Sequence, residues 1–141
     1  MPVQYNPRYL TYFDYTNLGG TLSEEEFAPL EFRAETKVDW YTFNRLAKDD
    51  SYDIKVSLCV KEIIDILIRL DNAKKGLNAD GQVGIIKQSN DGVSTDYNAL
   101  SPSESVDKAE KDIEEVIKVY LYKVKNKAGK VLLYRGIYED E

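Results

Sequence analysis

Histidine is absent from this sequence. Histidine-dependent catalytic triads, most zinc sites and haem ligation therefore have no imidazole to draw on. Cysteine occurs once, at Cys59, which excludes an internal disulfide framework and fits a reduced, cytosolic setting. Positive charge is in deficit: 19 bases against 25 acids give a net charge of -6 and a pI near 4.8. A general nucleic-acid-coating role, which needs a basic footprint, is argued against. The opening Met1-Pro2-Val3-Gln4-Tyr5 lacks the basic-then-apolar pattern of a secretory leader, so none is expected. The longest apolar stretch, Ile54 to Asp71, is too short and too charged to span a bilayer. Internal repeats and low-complexity runs are missing as well.

What is present fits one domain of 141 residues organised around that stretch. On a helical wheel Val56, Cys59, Val60, Ile63, Ile64, Leu67 and Leu70 share a face, which Ile66 and Ile68 widen. Lys55, Lys61, Glu62, Asp65 and Arg69 lie opposite. An apolar arc this wide demands cover on more than one side. Cys59 sits on it and reads as a small buried hydrophobe.

Around this helix the chain reads as follows. Residues 1–8 are expected to form a flexible N-terminal arm, and Thr11 to cap a short helix from Tyr12 to Leu18, stopped by Gly19-Gly20. Ser23-Glu24-Glu25-Glu26 has capping-box form and predicts a helix from about Ser23 to Leu46. Pro29 either kinks its second turn or marks its true start. Asp50 or Ser51 is expected to cap the central helix, and Gly76 to end it. Two β-leaning runs flank Asn90-Asp91-Gly92 and predict a hairpin over 83–98. Ser101-Pro102-Ser103-Glu104 opens a last helix, roughly Pro102 to Lys123, and Asn126-Lys127-Ala128-Gly129 breaks it. The expected fold class is mainly α: a small helical bundle over 9–124 with the hairpin inserted, and an extended C-terminal arm over 125–141.

No residue pattern here points to catalysis, a cofactor or a metal. Gly76 to Gly81 resembles half of a calcium loop but lacks the acid at Gly76 and the glutamate at Lys87. Gly19-Gly20 lacks the Lys-Ser/Thr of a phosphate loop. Glu114-Glu115 and Asp49-Asp50 read as surface charge, since general-acid work needs a carboxyl kept from water. Val116 to Arg135 holds six bases and no acid, either complementing a helix dipole or forming a basic rim for an acidic partner. The tail is too apolar for a solvated terminus. It either folds back on its own bundle or docks on another chain, the second being the expectation carried forward. Leu132, Leu133, Tyr134, Arg135, Ile137 and Tyr138 are thus candidate partner-binding residues, joined by Asn90, Asp91 and Gly92 at the expected hairpin tip.

Several strings then resemble a known family. They are Tyr9-Leu10-Thr11, Gly19-Gly20-Thr21-Leu22, Leu30-Glu31-Phe32-Arg33-Ala34 and Asp39-Trp40-Tyr41-Thr42-Phe43-Asn44-Arg45-Leu46. Ser89-Asn90-Asp91-Gly92-Val93-Ser94 and Leu132-Leu133-Tyr134-Arg135-Gly136-Ile137 follow in the same order. By their order and spacing the chain resembles head–tail connector (adaptor) proteins of long-tailed phages and prophages of Gram-positive bacteria. The resemblance implies a helical bundle with arms and a homo-oligomeric ring, typically of twelve copies, beneath the portal protein of the filled capsid. It implies a DNA channel through which DNA passes without specific binding, and a surface for the next connector, stopper or tail protein. It places the protein in the virion after synthesis in the host cytoplasm, with no membrane partner and no enzymatic activity. A small cytosolic protein-binding or regulatory helical module is the competing expectation.

Overall fold

The computed structural model describes residues 6–75 and 100–139, without the Pro102 side chain. The fold class is mainly α. Four helices follow in order: α1 (Tyr12–Asn17), α2 (Glu24–Tyr41), α3 (Ile54–Lys74) and α4 (Pro102–Leu121). The hairpin expected over 83–98, with Asn90, Asp91 and Gly92, lies outside the described residues, as does Gly76. The chain divides into two compact units, one of Met1–Ile64 with Glu114–Glu141 and one of Asp65–Ile113.

The helix starts follow from local chemistry. The Thr11 hydroxyl accepts from Asp14 N at 3.1 Å. Ser23 and Glu26 form a full capping box, and α2 runs from Glu24 straight through Pro29. Ser101 Oγ accepts from Glu104 N at 3.3 Å and donates to Glu104 Oε1 at 2.8 Å. Asp50 and Ser51 do not cap α3. Asp53, immediately before the helix, does so, its Oδ1 accepting from Lys55 N at 2.9 Å. Asp50 instead pairs with Lys127.

Two helices end earlier than their periodicity suggests. α2 stops at Tyr41 rather than Leu46 because Phe43 and Asn44 adopt left-handed φ of 56° and 59°. Leu46 is still buried, brought in by the turns that follow. α4 stops at Leu121 rather than Lys123, whose φ is 62°.

In the first unit the core joins Leu10, Tyr15, Phe27, Val38 and Leu46 with Val56 to Ile64 of α3 and with Ile117 and Leu121 of α4. Tyr120 Oη donates to Glu62 Oε1 at 2.6 Å. Tyr15 explains the glycine pair: Gly20 N donates to its carbonyl at 2.9 Å, and a Cβ on Gly20 would run into its ring. In the second unit Ile66, Leu67 and Leu70 of α3 and Ala109 and Ile113 of α4 are buried. The central face expected on α3 is the one that is covered, with Val56, Cys59, Val60, Ile63 and Ile64 all at 0 % exposure.

Candidate functional site

A polar assembly in the first unit is built on Arg45, which is 5 % exposed. Helix α2 is capped at its C-terminus by Thr42, whose Oγ1 donates to Val38 O at 2.8 Å. The two left-handed residues after it turn the chain so that Arg45 points inward. A buried guanidinium needs several acceptors to offset its lost hydration. Here they come from the far end of the sequence. Nη1 donates to Val131 O at 3.0 Å, to Leu132 O at 3.1 Å and to Tyr134 O, and Nη2 donates to Gly136 O at 2.8 Å. The rings of Phe43 and Tyr138 each lie 4.9 Å from its Cζ, and that of Tyr134 5.7 Å.

The segment it holds, 124–139, folds into a strap. Lys125 and Val131 form an isolated antiparallel bridge, closed by Asn126 N to Lys130 O at 2.9 Å, and Leu132 N donates to Val124 O at 2.9 Å. The Asn126 amide donates to Arg45 O at 2.7 Å and accepts from Lys130 N at 2.8 Å. Val131 N donates to Tyr138 Oη at 2.9 Å, so the strap turns back on itself. Gly136 permits the turn, because a Cβ there would meet the Tyr134 ring.

In this chain Val131 to Tyr138 folds back on its own bundle, the first of the two alternatives open to the tail. Leu132 is fully buried, and four strap carbonyls are ligated by one guanidinium. The physical reason is the buried Arg45 charge, which draws in carbonyls that an apolar segment can supply. Of the candidate binding residues, Leu132 lies inside and Tyr138 is half-buried. Tyr134, Arg135 and Ile137 are exposed, and Leu133 is half-buried at the surface.

Outside the strap lies an open groove of about 1020 Å³. Its walls are Thr36, Asp39, Trp40, Tyr41, Phe43 and Asn44 from the end of α2, Ile117 and Lys118 from α4, and Leu133 and Arg135 from the strap. Trp40 is 75 % exposed and Phe43 50 %. Asp39 is held on its other side. Arg8 pairs with it at 2.5 Å and with Glu35 at 2.7 Å, and Tyr9 Oη donates to it. Burial works against the Arg8 charge, but Glu35 and Asp39 outweigh it and raise its pKa. Burial first, then the bond to Asp39, raises the Tyr9 phenol.

Sequence reading singled out the strap side of this site and missed Arg45, Arg8, Glu35 and Asp39. A signal was available for Arg45: an arginine inside Tyr41-Thr42-Phe43-Asn44-Arg45-Leu46, an otherwise uncharged, largely apolar string. Chemically the site can bind. Cys59 is buried far from ionisation at neutral pH, its thiol pushed up to about 12 by burial and then by Glu62. Among the described residues no group of three or more acids and cysteines is placed to hold a metal, and no helix is long and apolar enough to cross a membrane. The chain matches no family model, no curated protein and no solved structure.

Proposed function

We propose that this chain is a head–tail connector subunit, forming a ring beneath a phage portal. The ring, typically of twelve copies in the family the chain resembles, extends the DNA channel and offers a surface to the next connector, stopper or tail protein. One observation carries this reading. Arg45 gathers two of the strings on which the resemblance rests, Asp39 to Leu46 and Leu132 to Ile137, into one exposed aromatic surface. Exposed Trp40, Phe43 and Tyr134 beside Arg135 are the residue types that dominate binding surfaces. The net charge of -6 suits a lumen that repels phosphates, so DNA passes without being gripped.

The test adds the purified protein to DNA-filled, portal-bearing heads that lack tails. Electron microscopy should then show ring density under the portal. A folded protein that leaves the portal bare sinks the reading. The competing reading, a small helical binding module, draws support from the strap being folded home, which suits a stable monomer. Under that reading the heads stay bare and the protein sediments as a single small species.

A further inference from the structure

The groove is apolar inside and basic at its rim. Trp40, Phe43 and Leu133 face Lys118 and Arg135; Lys118 is paired with Glu114 at 3.0 Å, whereas Arg135 makes no ion pair among the described residues. The acid in its wall, Asp39, is already engaged by Arg8 and Tyr9. An occupant that suits this surface is apolar with acidic flanks.

The same chain carries such a surface elsewhere. From Tyr9 to Phe32 there is no base, while Asp14, Glu24, Glu25 and Glu26 are exposed acids. Phe13, 72 % exposed, and Leu18, 38 % exposed, stand among them. This corner is fixed at the start of α2, since the Tyr12 and Tyr15 rings lie 5.5 and 4.9 Å from Phe27 and Tyr12 Oη donates to Leu22 O at 2.9 Å. The groove lies at the other end of the same helix, at Thr36, Asp39 and Trp40. The helical rise separates Phe27 from Trp40 by roughly 20 Å. A corner pinned that far away cannot fill its own groove.

We propose that the groove receives the α1 corner of a second copy, so that identical chains join head to tail. Phe13 enters between Trp40, Phe43 and Leu133, while Glu24 and Glu25 meet Arg135. Two complementary patches at opposite ends of one helix make a heterologous contact, which propagates into a ring or a filament. That it closes into a ring rests on the connector reading; the contact itself does not.

The test uses the full-length protein and two variants with exposed substitutions, their folding checked by circular dichroism. One blocks the groove (Trp40→Ala with Arg135→Glu), the other the corner (Phe13→Ala with Glu25→Lys). In sedimentation velocity the unaltered protein should associate with rising concentration, and salt should weaken the association. Each variant alone should associate at least tenfold more weakly. Mixed in equal amounts, they should form a dimer and stop there, because one working corner and one working groove remain. A protein monomeric at every concentration overturns the proposal, as does a mixture without dimers. So does a corner variant that associates like the parent, which would indicate groove-to-groove pairing or another surface. Dimers in the mixture together with bare portals would keep this contact and discard the connector reading.

Discussion

Helix α3 and the C-terminal strap each bury a leucine or isoleucine completely, by opposite means. Along α3 eight apolar side chains, from Val56 to Leu70 and counting Cys59, are no more than 5 % exposed. Each contributes a similar share, so the helix is held redundantly. The strap buries only Leu132 to this degree, with Val124 at 6 %, and depends on one guanidinium for four of its carbonyls. The first arrangement weakens by degrees. The second can be undone at a single residue, and its partners cannot all be replaced by water while they stay buried.

The largest expected effect is on the redundant side. Replacing Ile64 by Ala should cost ~2–5 kcal/mol, the lost burial plus the cavity left in a packed core. Urea titration of the purified protein measures it. A loss well under 1 kcal/mol would mean that the face is not the core.

Breaking the strap should cost less in total but act locally. Arg45→Met removes the node and leaves the Leu132 carbonyl buried without its donor, worth ~1.5–3 kcal/mol. Deleting residues 131–141 lets water reach Arg45 and loses mainly the burial of Leu132, also ~1.5–3 kcal/mol. In Arg45→Met, hydrogen exchange at the Lys130 and Leu132 amides should accelerate far more than along α3. Equal acceleration in both regions would show that the strap and the helix open as one.

The contrast also explains what was legible in the sequence. The α3 face repeats at helical spacing, and the boxes at Ser23 and Ser101 lie within four residues, so local pattern suffices for both. Arg45 meets carbonyls 86 to 91 residues away, and no local pattern marks that pairing. An apolar tail demands cover without naming what covers it, so its composition allowed both folding home and docking elsewhere, and docking was the expectation. The early end of α2 rests on a positive φ at Phe43, a conformation that the residue type does not announce. The choice of Asp53 over Asp50 was hidden among neighbouring acids, all competent as caps.

High pH should loosen the packing on α3 rather than the strap. The Cys59 thiol is raised from 9.0 to about 12, so its neutral form contributes stability that is fully present below pH 9 and is lost as pH rises through about 12. Tyr9 behaves in the same sense: its raised phenol contributes stability that is fully present below pH 10 and is lost as pH rises beyond it through the higher folded value. Unfolding should therefore begin to ease above pH 9, and Cys59→Ala should flatten the fall between pH 9 and 12 while lowering stability at neutral pH. An unchanged slope in that variant would assign the alkaline loss to the raised phenols, Tyr9 with Tyr52 and Tyr120.

The smallest expected effect lies at the strap's outer turn. Lys127 pairs with Asp50 and donates its backbone N–H to Asp49 Oδ2 at 3.1 Å. The pairing lowers the Asp50 pKa, chiefly through the hydrogen bond to Lys127. A depressed carboxyl contributes stability above its unfolded pKa and loses it as pH falls through the folded value. Asp50 is fully solvent-exposed, so water and salt screen the pair, and a visible titration shift carries almost no folding energy. Asp50→Asn should leave the melting temperature unchanged, while carboxyl titration of the parent by NMR still shows Asp50 ionising at a lower pH than an unpaired aspartate. Arg45→Lys, which keeps a charge but loses the planar fork, should lower the melting temperature clearly by comparison. If the two variants melted alike, the strap would be held by its outer turn, and Arg45 would be one contact among many.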